Sequence, residues 1–386
     1  MKPLRIVMAM IEPPLPFGSA PARWYYVLLK GLVERGHRVT AVAACSRSID
    51  MEKAAQLFTP PHFDLRCYAH PTRRGLLAKL ETLMRPYSYM FSPALRQDLQ
   101  SQIDQGFDVL HLEQLWCGWL ALHHCKRALV NVHHLAMIDL AEIRPRTFEH
   151  KLMFRAERRL LSMFKWFRAC SPRLGPLITE INQSALTATV PVGIDASLYP
   201  YVADRGRVDL PIVTLVASMG WYPGLSAAKR LLTRLYPAIK RRIPDTRLEV
   251  VGWSARSALG EFSNLPGVSI YENVPDTVPY FHRAGVFLYA PARGSGMKVK
   301  VLEAMALGAP VVTTSEGVEG LSATDGVHAG IADDDEGLVE RTVALLCDRD
   351  RQNRQRAAAR ELIETFCSPS RTVEMIEQIY SRMLAS

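Results

Sequence analysis

Residues 294–321 read GSGMKVKVLEAMALGAPVVTTSEGVEGL. Gly294 and Gly296 open the stretch, Lys298 and Lys300 follow, and a lone acid, Glu303, stands inside an apolar run of helical character. Glycines let backbone come close to a ligand. A helix N-terminus offers N–H groups and the positive end of a dipole, and lysines add full charge, so the pattern has the chemistry of a phosphate cradle. A carboxylate beyond such a cradle is placed to accept hydroxyl hydrogen bonds from a ribose. The same residues also fit a plain glycine turn with lysines facing solvent, and spacing alone does not choose between the two.

The elements that must position this stretch alternate strand and helix signals. LRIVMAM (4–10), RVTAVAA (38–44), FDVLHL (107–112), ALVNVHH (128–134) and FRACS (167–171) read as buried strands, each followed by helix-compatible sequence. WYYVLLKGLVERGH has a helical period, with Gly36 where a C-cap belongs. VPVGIDASLYPYVADRGRVDLP (190–211) has no period and reads as a linker. The rhythm then restarts with IVTLVAS (212–218), a helix from about Ser226 to Arg242, LEVVGW (248–253), VSIYENV (268–274), VFLYAPA (286–292) and PVVTTS (310–315). This predicts two consecutive α/β domains with parallel, doubly wound, Rossmann-like sheets, residues 1–200 and 201–366. The last segment, 367–386, has apolar residues at helical spacing and is expected to cross back to the first domain. In open α/β sheets ligands sit at the carboxyl ends of strands, where the glycine–lysine turn lies.

Composition narrows the possibilities. The chain has 386 residues, 48% hydrophobic and 22% charged, enough for two ordinary cores. No apolar run reaches the roughly 18 residues of a membrane span, and the start, MKPLRIVMAMIEPP, reads as a strand rather than a leader. Seven scattered cysteines without a CxxC pair point to reduced thiols in a cytoplasmic protein and no zinc site. The DDDE run at 333–336 reads as a solvated turn rather than a metal cluster. The net charge of +9 is lopsided: residues 1–200 hold 25 Lys+Arg against 16 Asp+Glu, and the remainder balances. Basic residues cluster at Arg73, Arg74, Lys79 and Arg85 and again from Arg144 to Arg168, the latter with interleaved Leu, Met, Phe and Trp. A solvated helix face and contact with an anionic membrane or a phosphorylated acceptor both fit; nucleic acid lacks an accompanying motif.

The run from Ser295 to Leu321 resembles the donor-binding signature of retaining GT-B glycosyltransferases, glycosyltransferase family 4 in particular. Further matches occur in order: PPLPFGSAPARWYYVLLKGLVERGHRVTAVA, DVLHLEQ, VNVHH, ACSPRLGPLITE, VPVGIDASLYP and ENVPDTVPYFHRAGVFLYAP. The resemblance implies two domains facing across a cleft, with a nucleotide diphosphate-sugar held by the second and a glycan, lipid-linked or small-molecule acceptor by the first. It implies retention of configuration without a divalent metal, and no cofactor is expected beside the donor substrate. A place in polysaccharide biosynthesis is expected with it; the cysteine usage puts the protein in the cytoplasm, and the basic first half adds peripheral contact with the inner face of the cell membrane.

Residue by residue, Glu303 matches the second glutamate of the family's E-x7-E motif, which implies a ribose contact. The first glutamate falls at Ser295, a departure, leaving the backbone around Gly296, Met297 and Lys298 to grip the diphosphate or sugar. The Arg and Lys common in the first loop of the second domain are Ser218 and Pro223 here. Gly220 and Trp221 belong to a subgroup pattern at that loop, and Gly252, Val274 and Pro275 fall among the implied donor contacts. The missing cations pass their role to Lys298, Lys300 or Arg293, with Lys300 the favoured one. Phe17, Gly18 and Ser19 fit the acceptor loop. Glu113 stands where many relatives carry a histidine against the transferred sugar, and His133 ends a strand at the same edge; both are catalytic candidates. A non-transferring protein of the same fold, an epimerase, hydrolase or binding protein, stays open because of the altered motifs. A dinucleotide oxidoreductase is disfavoured, since Pro13, Pro14 and Pro16 occupy the turn that would need G-x-G-x-x-G.

Overall fold

The computed structural model describes residues 2–57, 63–72, 75–141, 147–202, 211–291 and 294–386. They form two compact units, one of residues 1–194 with 369–386 and one of residues 195–368. The expected linker crosses that division at its start, and its residues 203–210, like Arg73, Arg74, Arg144 and Arg293, lie outside the described residues.

The first unit holds β1 (Arg5–Met10), β2 (Arg38–Cys45), β3 (Phe63–Ala69), β4 (Val109–Glu113), β5 (Ala128–Val132), β6 (Trp166–Ala169) and β7 (Leu186–Thr189). Their order is β3-β2-β1-β4-β5-β6-β7, with parallel ladders. Strands covered on both faces carry continuous apolar runs. β1 (RIVMAM) is buried from its second residue on, and β4, β5 and β6 are buried throughout. β3 and β7 were not legible in that way because they are edge strands: FDLRCYA and LTAT are mostly half-exposed. The second unit holds β8 (Ile212–Val216), β9 (Arg247–Gly252), β10 (Val268–Glu272), β11 (Val286–Tyr289), β12 (Val311–Thr313) and β13 (Gly330–Ile331), in the order β10-β9-β8-β11-β12-β13. Its ladders are parallel too. In each sheet the strand order reverses once, at β1/β4 and at β8/β11, which is where such folds open a crevice.

The first helix of the second unit starts at Tyr222, earlier than its apolar period suggested, because Pro223 occupies its first turn. It continues through a π turn at Leu231–Leu235 into Tyr236–Arg242. There the N–H of Tyr236 reaches back to Leu231 O, just ahead of Pro237, which has no N–H to give. Among the described residues no helix is long and apolar enough to cross a membrane.

The C-terminal helix Pro369–Leu384 packs in the first unit, against the helix Ala20–Glu34. Glu377 sits 2.9 Å from His37 Nε2 and 2.6 Å from the Arg35 guanidinium, and the Tyr380 hydroxyl lies 2.6 Å from His111 Nδ1. Glycine permits the approach. A Cβ on Gly31 would lie 2.4 Å from Val373 Cγ2. Alanine is the better helix former by roughly 1 kcal/mol, but overpacking costs about 1–3 kcal/mol. Gly31→Ala is therefore expected to lower the urea midpoint, and to lower it less when made in a Val373→Ala background. Equal effects of Gly31→Ala in both backgrounds would show that the two helices do not meet there.

Candidate active site

In the second unit, a cavity of about 370 Å³ opens at the carboxyl edge of β8, β9 and β10. Ala217 and Ser218 line it just past β8, Gly252 and Trp253 at the end of β9, and Asn273, Val274 and Thr277 past β10. Lys300, on the helix Val299–Ala306 that follows β11, closes one side. The strand ends meet so closely that a Cβ on Gly252 would lie 1.7 Å from Ala217 O. Gly220 lies beneath Trp253, whose ring would be 2.3 Å from a Cβ placed there. Trp253 is 61% exposed.

Of the donor candidates, Ser218, Gly252, Val274 and Lys300 thus come together on one wall, with Gly220 underneath. Trp221 precedes the helix Tyr222–Arg230 and is not part of the lining, nor is Pro275. Trp253 is the tryptophan the cavity uses. Ser295 and Met297 are buried in the turn leading to the helix Val299–Ala306, and Gly296 takes a left-handed φ of +77°. Gly294 N–H is held by Glu316 at 2.8 Å, so a carboxylate reaches this turn from another element, although Ser295 itself has none. Lys298 folds back onto Gly296 O at 2.5 Å, which keeps its charge within the turn. Lys300 instead stands 2.9 Å from Glu303, a carboxylate 3% exposed. The pair links cavity wall to helix interior. Pro223, at the second position of the expected Arg/Lys pair, is buried in a helix start.

Three of the four acids at 333–336 are used locally. Asp333 takes Ser315 N–H and its hydroxyl at 2.8 and 2.9 Å, Asp334 caps the helix Asp335–Cys347, and Asp335 meets Arg230 and Arg234. Among the described residues no group of three or more His, Cys, Asp or Glu is placed to hold a metal ion.

In the first unit, Glu113, Asn131 and Arg168 stand in register across β4, β5 and β6, near the carboxyl edge. All three are wholly buried. Three N–H groups converge on Glu113 Oε2: Asn131 Nδ2 at 2.5 Å, Trp24 Nε1 at 3.0 Å and His133 Nε2 at 3.2 Å. His111 Nε2 is 3.1 Å from Oε1. Arg168 donates to Asn131 Oδ1 at 2.8 Å and stacks 3.9 Å over the Trp24 ring. Burial alone would raise the Glu113 carboxyl, but His111 and His133 hold it well below the usual carboxylate range. Burial pushes Arg168 down only to about 10, so it stays charged near neutrality. An anion and a cation are thereby bridged by one asparagine.

Burial takes His133 the other way, down to about 4 against the pull of Glu113, so its ring is neutral near pH 7. The nitrogen facing the carboxylate carries the proton, which leaves Nδ1 as an acceptor. Trp24 and Tyr25 hold the ring edge-on, at centroid distances of 5.9 and 6.1 Å. His133 keeps 10% of its side chain exposed, whereas Glu113 keeps none. The resemblance made Glu113 a candidate for contact with the transferred sugar or for activating the acceptor; the structure seals its carboxylate beneath three donors, one of them the partly exposed His133 that it orients. His134 turns to Asp139 at 3.2 Å. In the acceptor loop, Phe17 is exposed and Gly18 O accepts from Arg23 Nε at 2.9 Å. The Ser19 hydroxyl caps the first helix and bonds Glu12 at 2.6 Å. Ser19 is therefore already engaged in holding the loop.

Asn131, His111, Trp24 and Trp253 were not singled out from sequence, and Arg168, counted there in the basic cluster from Arg144 to Arg168, is wholly buried rather than on a charged face. One signal was available: in VLHLE and ALVNVHH the polar residues are two apart, the period of one strand face.

The second half, residues 211–348, matches the family model "Glycosyl transferases group 1", and residues 22–198 match "Glycosyltransferase Family 4". No curated protein sequence matches the chain significantly. Among solved structures it is similar to sucrose-phosphate synthase from Thermosynechococcus elongatus, at TM-score 0.77 and 16% identity over 99% of both chains. Anabaena HepE, in complex with UDP and glucose, aligns at TM-score 0.69 and 12% identity over 97% of this chain and 99% of that one. WaaG, a glycosyltransferase involved in lipopolysaccharide biosynthesis, aligns at 0.64 and 15% over 96% and 99%. At such identities the structural likeness shows the fold, two Rossmann-like domains of GT-B type.

The buried histidine sets a pH dependence. Between the ordinary value of 6.5 and the folded value of about 4, the unfolded chain binds a proton at His133 that the folded chain does not. Stability must therefore fall as pH drops through that window, by about 3 kcal/mol at most from this group. Urea titrations from pH 7 to pH 4 are expected to show a shallower decline in His133→Gln than in the wild type. Parallel declines would place the pH dependence elsewhere.

Proposed function

The chain is a glycosyltransferase of the family 4-like, GT-B kind, and from that premise we propose a retaining, metal-independent transfer from a nucleoside diphosphate sugar to a hydroxyl of a glycan or lipid-linked acceptor. The observation that carries this reading is Lys300: it lines the cavity at the carboxyl edge of β8–β10 and lies 2.9 Å from the buried Glu303. With Ser218 and Pro223 at the positions of the usual Arg and Lys, Lys300 supplies positive charge to the leaving diphosphate. Backbone N–H groups at the start of the helix Val299–Ala306 add theirs.

Donor binding exchanges partners. The diphosphate draws the Lys300 ammonium, and ribose hydroxyls replace it as donors to Glu303. Trp253, exposed at the cavity rim and seated on Gly220, suits stacking with the base. The uridine nucleotide bound by HepE makes UDP-sugars the first donors to test. As the bond from the anomeric carbon to the diphosphate oxygen breaks, the ring oxygen shares the developing charge. The acceptor oxygen bonds to the same face, and its proton passes to the departing diphosphate. No enzyme nucleophile takes part. The first unit is assigned the acceptor, with the neutral His133 offering Nδ1 to a sugar or acceptor hydroxyl and Glu113, Asn131 and Arg168 fixing its orientation. The lipopolysaccharide pathway of WaaG favours an acceptor carried on a lipid-linked glycan.

Calorimetry with UDP and UDP-sugars, followed by transfer assays, tests this. Loss of charge-assisted hydrogen bonds costs about 1.5–3 kcal/mol, so Glu303→Ala is expected to weaken nucleotide binding by roughly ten- to a hundredfold. Lys300→Met is expected to reduce kcat by about a hundredfold or more, as for other groups that stabilise developing charge. Donor binding without turnover across acceptor mixtures would favour a non-transferring protein of this fold. Unchanged nucleotide affinity in Glu303→Ala would overturn the donor site itself.

A further inference from the structure

The helix Leu76–Met84 buries none of its residues. Leu76 and Leu77 are each 84% exposed, Leu80 57% and Met84 55%. Positions 76, 80 and 84 follow one another at four-residue spacing, so they share a face, with Leu77 beside it. A folded chain rarely leaves a contiguous apolar stripe in water without a partner to cover it. The helix rests against the helix Phe148–Met163 and the turn Ser88–Met90, so its exposed stripe belongs to a larger surface.

That surface is basic. Lys79 lies on the apolar helix, and Arg85 follows at its end. The Arg85 and Arg159 guanidiniums both lie over the ring of Trp119, at 5.9 and 6.0 Å, which joins the two helices through their cations. Lys151, Arg155, Arg158 and Arg159 are exposed along the helix Phe148–Met163, while Glu157, its second acid, is buried and bonds the N–H groups of Ala136 and Met137. Phe148 is 70% exposed at the start of that helix. Tyr89, half in water, stacks on Tyr87. Apolar residues flanked by arginines and amphipathic aromatic rings fit the boundary between lipid head groups and acyl chains.

We propose that this surface docks the protein on an anionic phospholipid bilayer, with Leu76, Leu77, Leu80 and Met84 entering the interface while Lys79, Arg85 and the Phe148–Met163 cations meet lipid phosphates. A second copy is the poorer occupant: a two-fold contact through this patch sets the same cations against one another. The inference does not depend on the transfer reaction and holds for a non-transferring protein as well.

Co-sedimentation of the full chain with phosphatidylcholine vesicles, with and without phosphatidylglycerol, tests it. Binding is expected with phosphatidylglycerol, falling about tenfold or more without it and declining with salt. Leu76→Ser/Leu77→Ser is expected to weaken vesicle binding by about tenfold while leaving UDP binding and the urea midpoint unchanged, since both leucines already face water. Each basic residue near an anionic surface contributes about fivefold, so Arg155→Glu/Arg158→Glu is expected to abolish the preference for phosphatidylglycerol. Equal binding to both vesicles, no binding to either, or full binding by the leucine variant overturns the proposal. So does a leucine variant that turns a dimer into a monomer with vesicle binding unchanged, which would make the patch a contact between copies. UDP binding is read on the same samples, so failure at the membrane and failure of the donor site are told apart.

Discussion

A parallel sheet covered on both faces leaves polar chemistry to its carboxyl edge, and both units of this protein are organised by that constraint. Inside, β1, β4 and β5 are solidly buried, and an ionised group there must bring its partners with it. Glu113 meets the condition at the last residue of β4, through donors from the first helix, from β5 and from the loop after it. His111 adds a fourth contact and is itself held by Tyr380 of the C-terminal helix. Removing one partner of such a group costs about 3–5 kcal/mol, because the remaining charge stays buried. The stability of the first unit and the presentation of His133 are consequently one interaction, reached from segments at both ends of the sequence.

The second unit handles charge differently. Glu303 is buried, but Lys300 is 32% exposed and borders the cavity, so their attraction is open to water and to a ligand. Water screens a pair with one partner exposed more than it screens a network buried throughout. On the proposed reading, the Lys300–Glu303 pair gives way to an incoming polyanion more readily than the Glu113 network would. Rigid orientation falls to one unit and exchangeable charge to the other.

These properties were unequally legible in the sequence. Central strands showed as apolar runs, and the glycine–lysine stretch showed as a turn ahead of a helix. Edge strands β3 and β7, half-exposed and mixed in composition, did not show. The partners of Glu113 were hidden for a different reason. Asn131 lies 18 positions beyond Glu113 and Arg168 another 37 beyond Asn131, and the three meet through strand register. Arg168 is a fully buried arginine that reads from composition as surface charge. Trp221 and Trp253 show the limit of local reading: both follow strand ends, and only the close approach of Gly220 to a ring 33 residues away reveals which one borders the cavity.

The departures at Ser295, Ser218 and Pro223 are then best understood together. Each removes a charged side chain from the donor edge that the family resemblance would supply, and Lys298, already folded onto Gly296 O, does not replace it. On the proposed reading, the described residues put Lys300 at the cavity wall, and its counter-ion is also the carboxylate assigned to the ribose. Phosphate and ribose binding would then be coupled. A ligand offering only a phosphate draws the lysine away from Glu303, and a ligand offering only a ribose must compete with the lysine in place. A nucleoside diphosphate does both at once. On the proposed reading this edge discriminates by requiring the two halves of its ligand to arrive joined, a selectivity that a separate Arg/Lys pair would weaken by binding phosphate on its own.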